Sequence, residues 1–159
     1  MKQNRHGTSV VEFPSELEIV TTRDFDAPLE LVFDVLTKAE HVRNWFAPFR
    51  DKVTECSIDL RVGGDYRIDV VTADGTPMSF SGTYSEVERP MRFVATWLFD
   101  GWPGVEAVES TELAEIDGVT TMTIRMMFND QAARDHMNKF DGQESSWDHL
   151  EDYLRSLTG

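Results

Sequence analysis

The chain has 159 residues, 40% of them hydrophobic, with 29 acidic against 15 basic side chains and a formal net charge of −14. That length and apolar content suit one domain with a sizeable core. The negative balance disfavours nucleic acid and anionic lipid as partners, and the single Cys56 excludes an internal disulfide or a multi-cysteine metal site.

Residues 1–15 read as a polar N-terminal arm with a short extended piece at 9–13, and residues 16–159 as a single domain. The arm holds no apolar segment of signal-peptide length, and no apolar run approaches the ~20 residues that span a bilayer. A cytoplasmic protein without a membrane span is therefore expected, and the lack of cysteine pairs fits a reducing compartment.

From Leu17, LEIVTTRDF alternates apolar and polar residues and reads as a strand. At its end Asp26 is expected to cap a helix whose first turn holds Pro28. Leu29–Thr37 is then a short helix with Val32, Val35 and Leu36 on one face. KAEHVRNWF forms a second, closed by Pro48. Six strands follow, KVTECSIDLR, DYRIDVVT, MSFSGTYSEVE, RFVATWLF, EAVESTELAEI and VTTMTIRMMF. Their separators are turn signals: Gly63-Gly64, Asp74-Gly75, Arg89-Pro90, the looser DGWPG loop and Asp117-Gly118. Connections this short make an antiparallel meander.

From Asp130 to Leu157 the spacing predicts one long helix, with Ala133, Met137, Phe140, Trp147, Leu150, Leu154 and Leu157 as its apolar stripe. Gly142-Gln143-Glu144 interrupts that stripe. A glycine inside a helix costs about 1 kcal/mol relative to alanine, so Gly142 is expected to serve packing or ligand clearance.

Catalytic and metal-binding patterns are scarce. A phosphate loop needs glycines ahead of a helix, whereas Gly63-Gly64 precedes DYRIDVV, which has strand character; the pair reads as a hairpin turn. His6, His41, His136 and His149 are scattered without ligand spacing, so no metal is expected. No nucleophile elbow occurs. Cys56 shares a strand face with Ile58 and Leu60 and reads as a buried structural thiol. Glu106, Glu109, Glu112 and Glu115 recur every third residue in a strand, alternate between its faces, and read as solvated acidic surface rather than a dyad.

FDAPLELVFDVLTKAEHVRNWFAP, DLRVGGDYRI, GTYSEVERPMRFVATW and LEDYL together resemble the activator of Hsp90 ATPase homologue-like (AHSA1-like) branch of the SRPBCC (START/Bet v 1-like) superfamily, over residues 16–157. The resemblance implies an α+β helix-grip fold, in which a curved antiparallel sheet of about seven strands wraps a long C-terminal helix. It also implies a cavity between sheet and helix that accepts apolar small molecules. Two departures stand out. Gly142-Gln143 replaces the frequent Gly-Trp of the closing helix, with Trp147 four residues on and on the same face. Arg89-Pro90 replaces the usual Pro-Pro before the fifth strand.

The aromatic and methionine surplus points the same way. Alternation groups Phe80, Gly82 and Tyr84 on one face; Phe93, Ala95, Trp97 and Phe99 on another; and Met122, Ile124, Met126 and Phe128 on a third. The expected cavity lining is Trp45, Phe80, Tyr84, Trp97, Met122, Met126, Phe140, Gly142 and Trp147, with Arg67 or Arg125 as polar anchors and a volume of about 300 Å³ or more. The leading expectation is a noncatalytic binding protein, without cofactor, for a lipid, polyketide or aromatic molecule, as a monomer or homodimer. The family resemblance also brings an Hsp90-type chaperone as a partner whose basic patch the acidic surface would meet. A third reading is a cyclase or dehydrase, for which Tyr84, Asp69 and Glu86 are acid–base candidates by location alone.

Overall fold

The computed structural model describes residues 4–102, 104–138 and 142–158. In chain order it places β1 (Val10–Glu12), β2 (Glu18–Phe25), α1 (Leu29–Thr37), α2 (Ala39–Val42), β3 (Lys52–Ile58), β4 (Asp65–Val71), β5 (Pro77–Glu88), β6 (Arg92–Phe99), β7 (Glu106–Ile116), β8 (Val119–Phe128), α3 (Gln131–Asn138) and α4 (Gly142–Thr158). The strands form one antiparallel sheet in the order β1-β2-β8-β7-β6-β5-β4-β3. β3 to β8 are the expected meander, and β2 returns beside β8. The arm supplies an eighth strand, β1, through the extended piece expected at 9–13. This is the helix-grip architecture, a curved sheet closed by C-terminal helix.

Period-two burial shows which face of the sheet is covered. On β8, Met122, Ile124, Met126 and Phe128 are buried while Arg125 and Met127 are exposed. β6 buries Phe93, Ala95 and Trp97, and β7 buries Ala107, Thr111 and Leu113. Removing such side chains from water is the main term that holds the sheet against its helices.

Two local expectations are corrected. α1 begins at Leu29, after an extended Pro28. Its Leu29 N–H donates to Glu115 Oε1 at 2.7 Å, so Glu115 and not Asp26 caps the helix. Asp26 instead accepts from the Arg5 guanidinium at 2.9 Å. α2 spans only four residues. In the closing segment Asp130 accepts the Ala133 N–H at 2.7 Å at the start of α3, and α4 is described from Gly142 onward. Phe140 lies outside the described residues, as do the surroundings of Gly142.

The Gly63-Gly64 pair is the turn its context required. Gly63 has a φ of +86°, and a Cβ on Gly64 would lie 2.1 Å from Asp59 O. Gly63 N–H donates to Tyr84 O at 2.8 Å and Tyr84 N–H to Gly64 O at 2.9 Å, so the turn extends the ladder onto β5 and fixes Tyr84.

Gly82 is needed for a different reason. A Cβ there would come within 1.8 Å of Thr96 O and 2.5 Å of Tyr66 Cε2. The Tyr66 ring crosses this gap to donate its hydroxyl to Thr96 O at 3.1 Å. Gly82→Ala is expected to cost about 2–3 kcal/mol through overpacking against backbone, read as a lowered urea midpoint at unchanged slope.

A charged cluster pins α4 to the sheet. Arg23, on the covered face of β2, is fully buried and reaches Glu144 at 3.1 Å, Asp148 at 2.7 Å and Glu151 at 2.8 Å. These carboxylates sit at intervals of four and three along one helix face. They also accept backbone N–H groups of the arm: Ser9 on Glu144 at 3.3 Å, Gly7 on Asp148 at 3.1 Å and Arg5 on Glu151 at 3.0 Å. One buried guanidinium therefore organises both the last helix and the N-terminal arm.

Candidate functional site

Between the covered sheet face and the helices lies a cavity of about 170 Å³, walled mainly by rings. Tyr66 comes from β4, Phe80 and Tyr84 from β5, Phe93, Trp97 and Phe99 from β6, Trp45 and Phe46 from the segment after α2, and Trp147 from α4. The rings brace one another: Phe80 stacks on Phe99 at 4.7 Å, Phe46 meets Phe80 edge-on at 5.1 Å, and Trp45 lies 5.7 Å from Trp147. Trp45 is also held by its indole N–H, which donates to Val35 O at 3.0 Å. Ser146 of α4 donates to Phe46 O at 2.7 Å, tying helix to loop across the cavity rim.

The volume is smaller than the ~300 Å³ expected of a pocket for a drug-sized molecule. It is close to the ~150 Å³ of an apolar protein cavity that takes benzene. One ring with a short side chain fits; a lipid chain or a polyketide skeleton does not.

Polar groups are few. Glu109, Thr111, Gln143 and Ser146 contribute to the lining with the two tyrosines, and Glu109 is its one charged residue among those described. Glu109 sits mid-strand on β7, opposite Ala95 of β6 and Met126 of β8. Its carboxyl has no hydrogen-bond partner and no ion pair among the described residues. Desolvation pushes its pKa from 4.5 up to about 7. Burial, then the neighbouring Glu109, push the Tyr66 and Tyr84 hydroxyls upward in turn. Trp147 adds a second unpaired polar atom, for its buried Nε1 has no partner among the described residues.

Of the side chains expected from the sequence, Trp45, Phe80, Tyr84, Trp97 and Trp147 meet around this cavity. Gln143, which the sequence reading did not place in the lining, stands there beside Trp147, one turn away. Met122 and Met126 are buried beneath it, within the core rather than in the lining, and Met126 Sδ accepts from Gln143 Nε2 at 3.7 Å. Arg67 and Arg125 lie on the opposite, exposed sheet face, paired with Asp69 and Glu18. Strand alternation puts them outside because their neighbours Ile68 and Ile124 are inside. Of the acid–base candidates, Tyr84 faces the cavity. Asp69 is held by Arg67 and Ser79, and Glu86 by Arg92.

Glu109 is the residue that sequence reasoning missed. Its signal was present: it alternates with Ala107, Thr111 and Leu113, all buried. The three-residue spacing of the glutamates masked that pattern.

A family model for activator of Hsp90 ATPase homolog 1-like protein matches residues 26–155. The chain belongs to this family. Solved structures of similar fold include a protein from Rhodobacter sphaeroides at 22% identity, covering 93% of this chain and 98% of that one with a TM-score of 0.87. One from Nitrosomonas europaea shares 24% identity over 91% of this chain and 98% of its own, at a TM-score of 0.81. One from Staphylococcus epidermidis shares 25% identity over 92% and 94%, at a TM-score of 0.79. No functionally curated protein matches. For this AHSA1-like chain, no helix among the described residues is long and apolar enough to cross a membrane.

Proposed function

We propose that this AHSA1-like domain is a noncatalytic binding protein for a small, mainly apolar molecule of about one ring, held between sheet and α4. The observation that carries the reading is the ring-walled cavity of about 170 Å³. Apolar cavities of this size remain dry and take up aromatic guests. Among the described residues the lining holds one carboxyl and no second acid, imidazole, amine or thiol, and the hydroxyls of its tyrosines are held protonated, which supports binding over chemistry.

The test is a thermal-shift and calorimetric screen of one- and two-ring compounds, run on the wild type and on Ala95→Leu. Ala95 is buried in the cavity wall, and three added carbons there occupy the guest's space. One-ring compounds should bind the wild type, and Ala95→Leu should abolish binding while its melting temperature stays within a few degrees. Unimpaired binding to Ala95→Leu would place the guest elsewhere. Added to an Hsp90-type ATPase, the protein is expected to leave turnover unchanged; stimulation would instead favour the partner named in the family description.

A further inference from the structure

The cavity carries a chemical preference beyond its size. Its charged lining, among the described residues, is one carboxylate and no cation. Around it stand aromatic rings, whose quadrupoles can attract positive charge over their faces. The whole chain adds a field of the same sense, with a formal net charge of −14, which concentrates cations near any opening. Glu109, tyrosines and tryptophans thus converge on one ligand chemistry, and they penalise its opposite. A guest carboxylate would meet Glu109 head-on, with no arginine or lysine among the described lining residues to relieve it.

Resting on the ligand-binding reading, we propose that the guest is a small aromatic amine, its ammonium group on the Glu109 carboxylate and its ring among the surrounding aromatic side chains. An ammonium gives Glu109 the hydrogen-bonded counter-charge that no described residue supplies, and a charge-assisted pair away from bulk water is stronger than a neutral one. The carboxyl's upward-shifted pKa agrees with this geometry, since desolvation without a partner is what a cation removes. On α4, the unpaired Trp147 Nε1–H offers a place for an acceptor on the guest.

The experiment compares three probes of one shape, 2-phenylethylamine, 2-phenylethanol and 3-phenylpropionate, by isothermal titration at pH 8 against wild type and Glu109→Gln. The amine should bind the wild type at least about tenfold tighter than the alcohol, which is about 1.4 kcal/mol, and the acid should not bind. In Glu109→Gln the amine should lose that advantage while the alcohol keeps its affinity. An amine that binds no better than the alcohol, or equally well to Glu109→Gln, overturns the amine assignment and leaves the ligand-binding reading standing. Failure of all three probes on the wild type overturns both.

Discussion

Replacing Arg23 with alanine should lower the unfolding free energy by about 3–5 kcal/mol, the cost of deleting one partner of a buried ion cluster. The guanidinium side chain is 0% exposed, whereas Glu144, Asp148 and Glu151 are 33%, 25% and 6% exposed. Water can therefore rescue the first two carboxylates, and Glu151 keeps Arg155 at 3.1 Å and the Arg5 N–H at 3.0 Å, which pulls the cost toward the lower bound. For a chain of this length each kcal/mol moves the melting temperature by about 2–4 °C, so a drop of roughly 6–12 °C is expected. Arg23→Met would keep much of the volume yet lose nearly as much, because Glu144 and Asp148 lose the guanidinium and Glu151 is left with Arg155. Arg23→Lys should fall between, since one compact ammonium cannot reach three carboxylates as a planar fork does. The arm reports independently: its backbone bonds run through the same carboxylates. Amide exchange at Arg5, Gly7 and Ser9 should accelerate in Arg23→Ala. Unchanged stability would mean that the cluster is solvated and that α4 is held by its other contacts, Leu150 and Leu154 in the core and the bonds of Ser146 and His149 to the segment after α2.

That arginine also shows what the residues disclose and what they conceal. The meander was legible because period-two alternation and paired turn signals are local, and each strand carries its own. The arm's strand β1 was legible for the same reason. Arg23 was half legible: its alternation with Ile19, Thr21 and Phe25 puts it on the covered face, and the carboxylates at 144, 148 and 151 share one helix face. Joining the two needs the tertiary contact between β2 and α4, which no local pattern states. The cap of α1 failed on the same ground, because Glu115 reaches Leu29 from 86 positions away, while Asp26, the adjacent candidate, is drawn off by Arg5. Three of the aromatic lining residues, Phe80, Tyr84 and Trp97, were found from alternation and Trp147 from the helical stripe, but the polar anchor was sought among arginines. The same alternation excludes Arg67 and Arg125 and admits Glu109.

Glu109→Gln should change the pH dependence of stability by roughly 3 kcal/mol across the acid-to-neutral range. In the folded protein the carboxyl titrates near 7 against 4.5 for its ordinary value, and each pH unit of difference corresponds to about 1.4 kcal/mol. Below the unfolded value both states hold the proton, and the group costs nothing. Between about 4.5 and 7 the folded state keeps a proton that the unfolded chain has released, so stability falls as pH rises. Above the folded value the loss is complete and constant. Glutamine removes this titration, so the stability of the variant minus that of the wild type should be flat below the lower bound, climb through the window, and level off by pH 8. Taking the difference cancels the other carboxylates, including the Arg23 cluster. The groups facing Glu109 do not interfere: Tyr66 from β4 and Tyr84 from β5 are both pushed further above neutrality by burial. Ala95 and Trp97 from β6, Ile124 from β8, Met137 from α3, and Gln143, Ser146 and Trp147 from α4 carry no charge. Cys56 of β3, near Tyr84, is likewise raised by desolvation. Urea titrations of both proteins at half-unit pH intervals would measure the difference. A flat difference across the whole range would mean that Glu109 is hydrated in the folded state, and the counter-charge argument for an ammonium guest would lose its footing. A climb that an aromatic amine abolishes in the wild type would show the guest's charge restoring what desolvation took away.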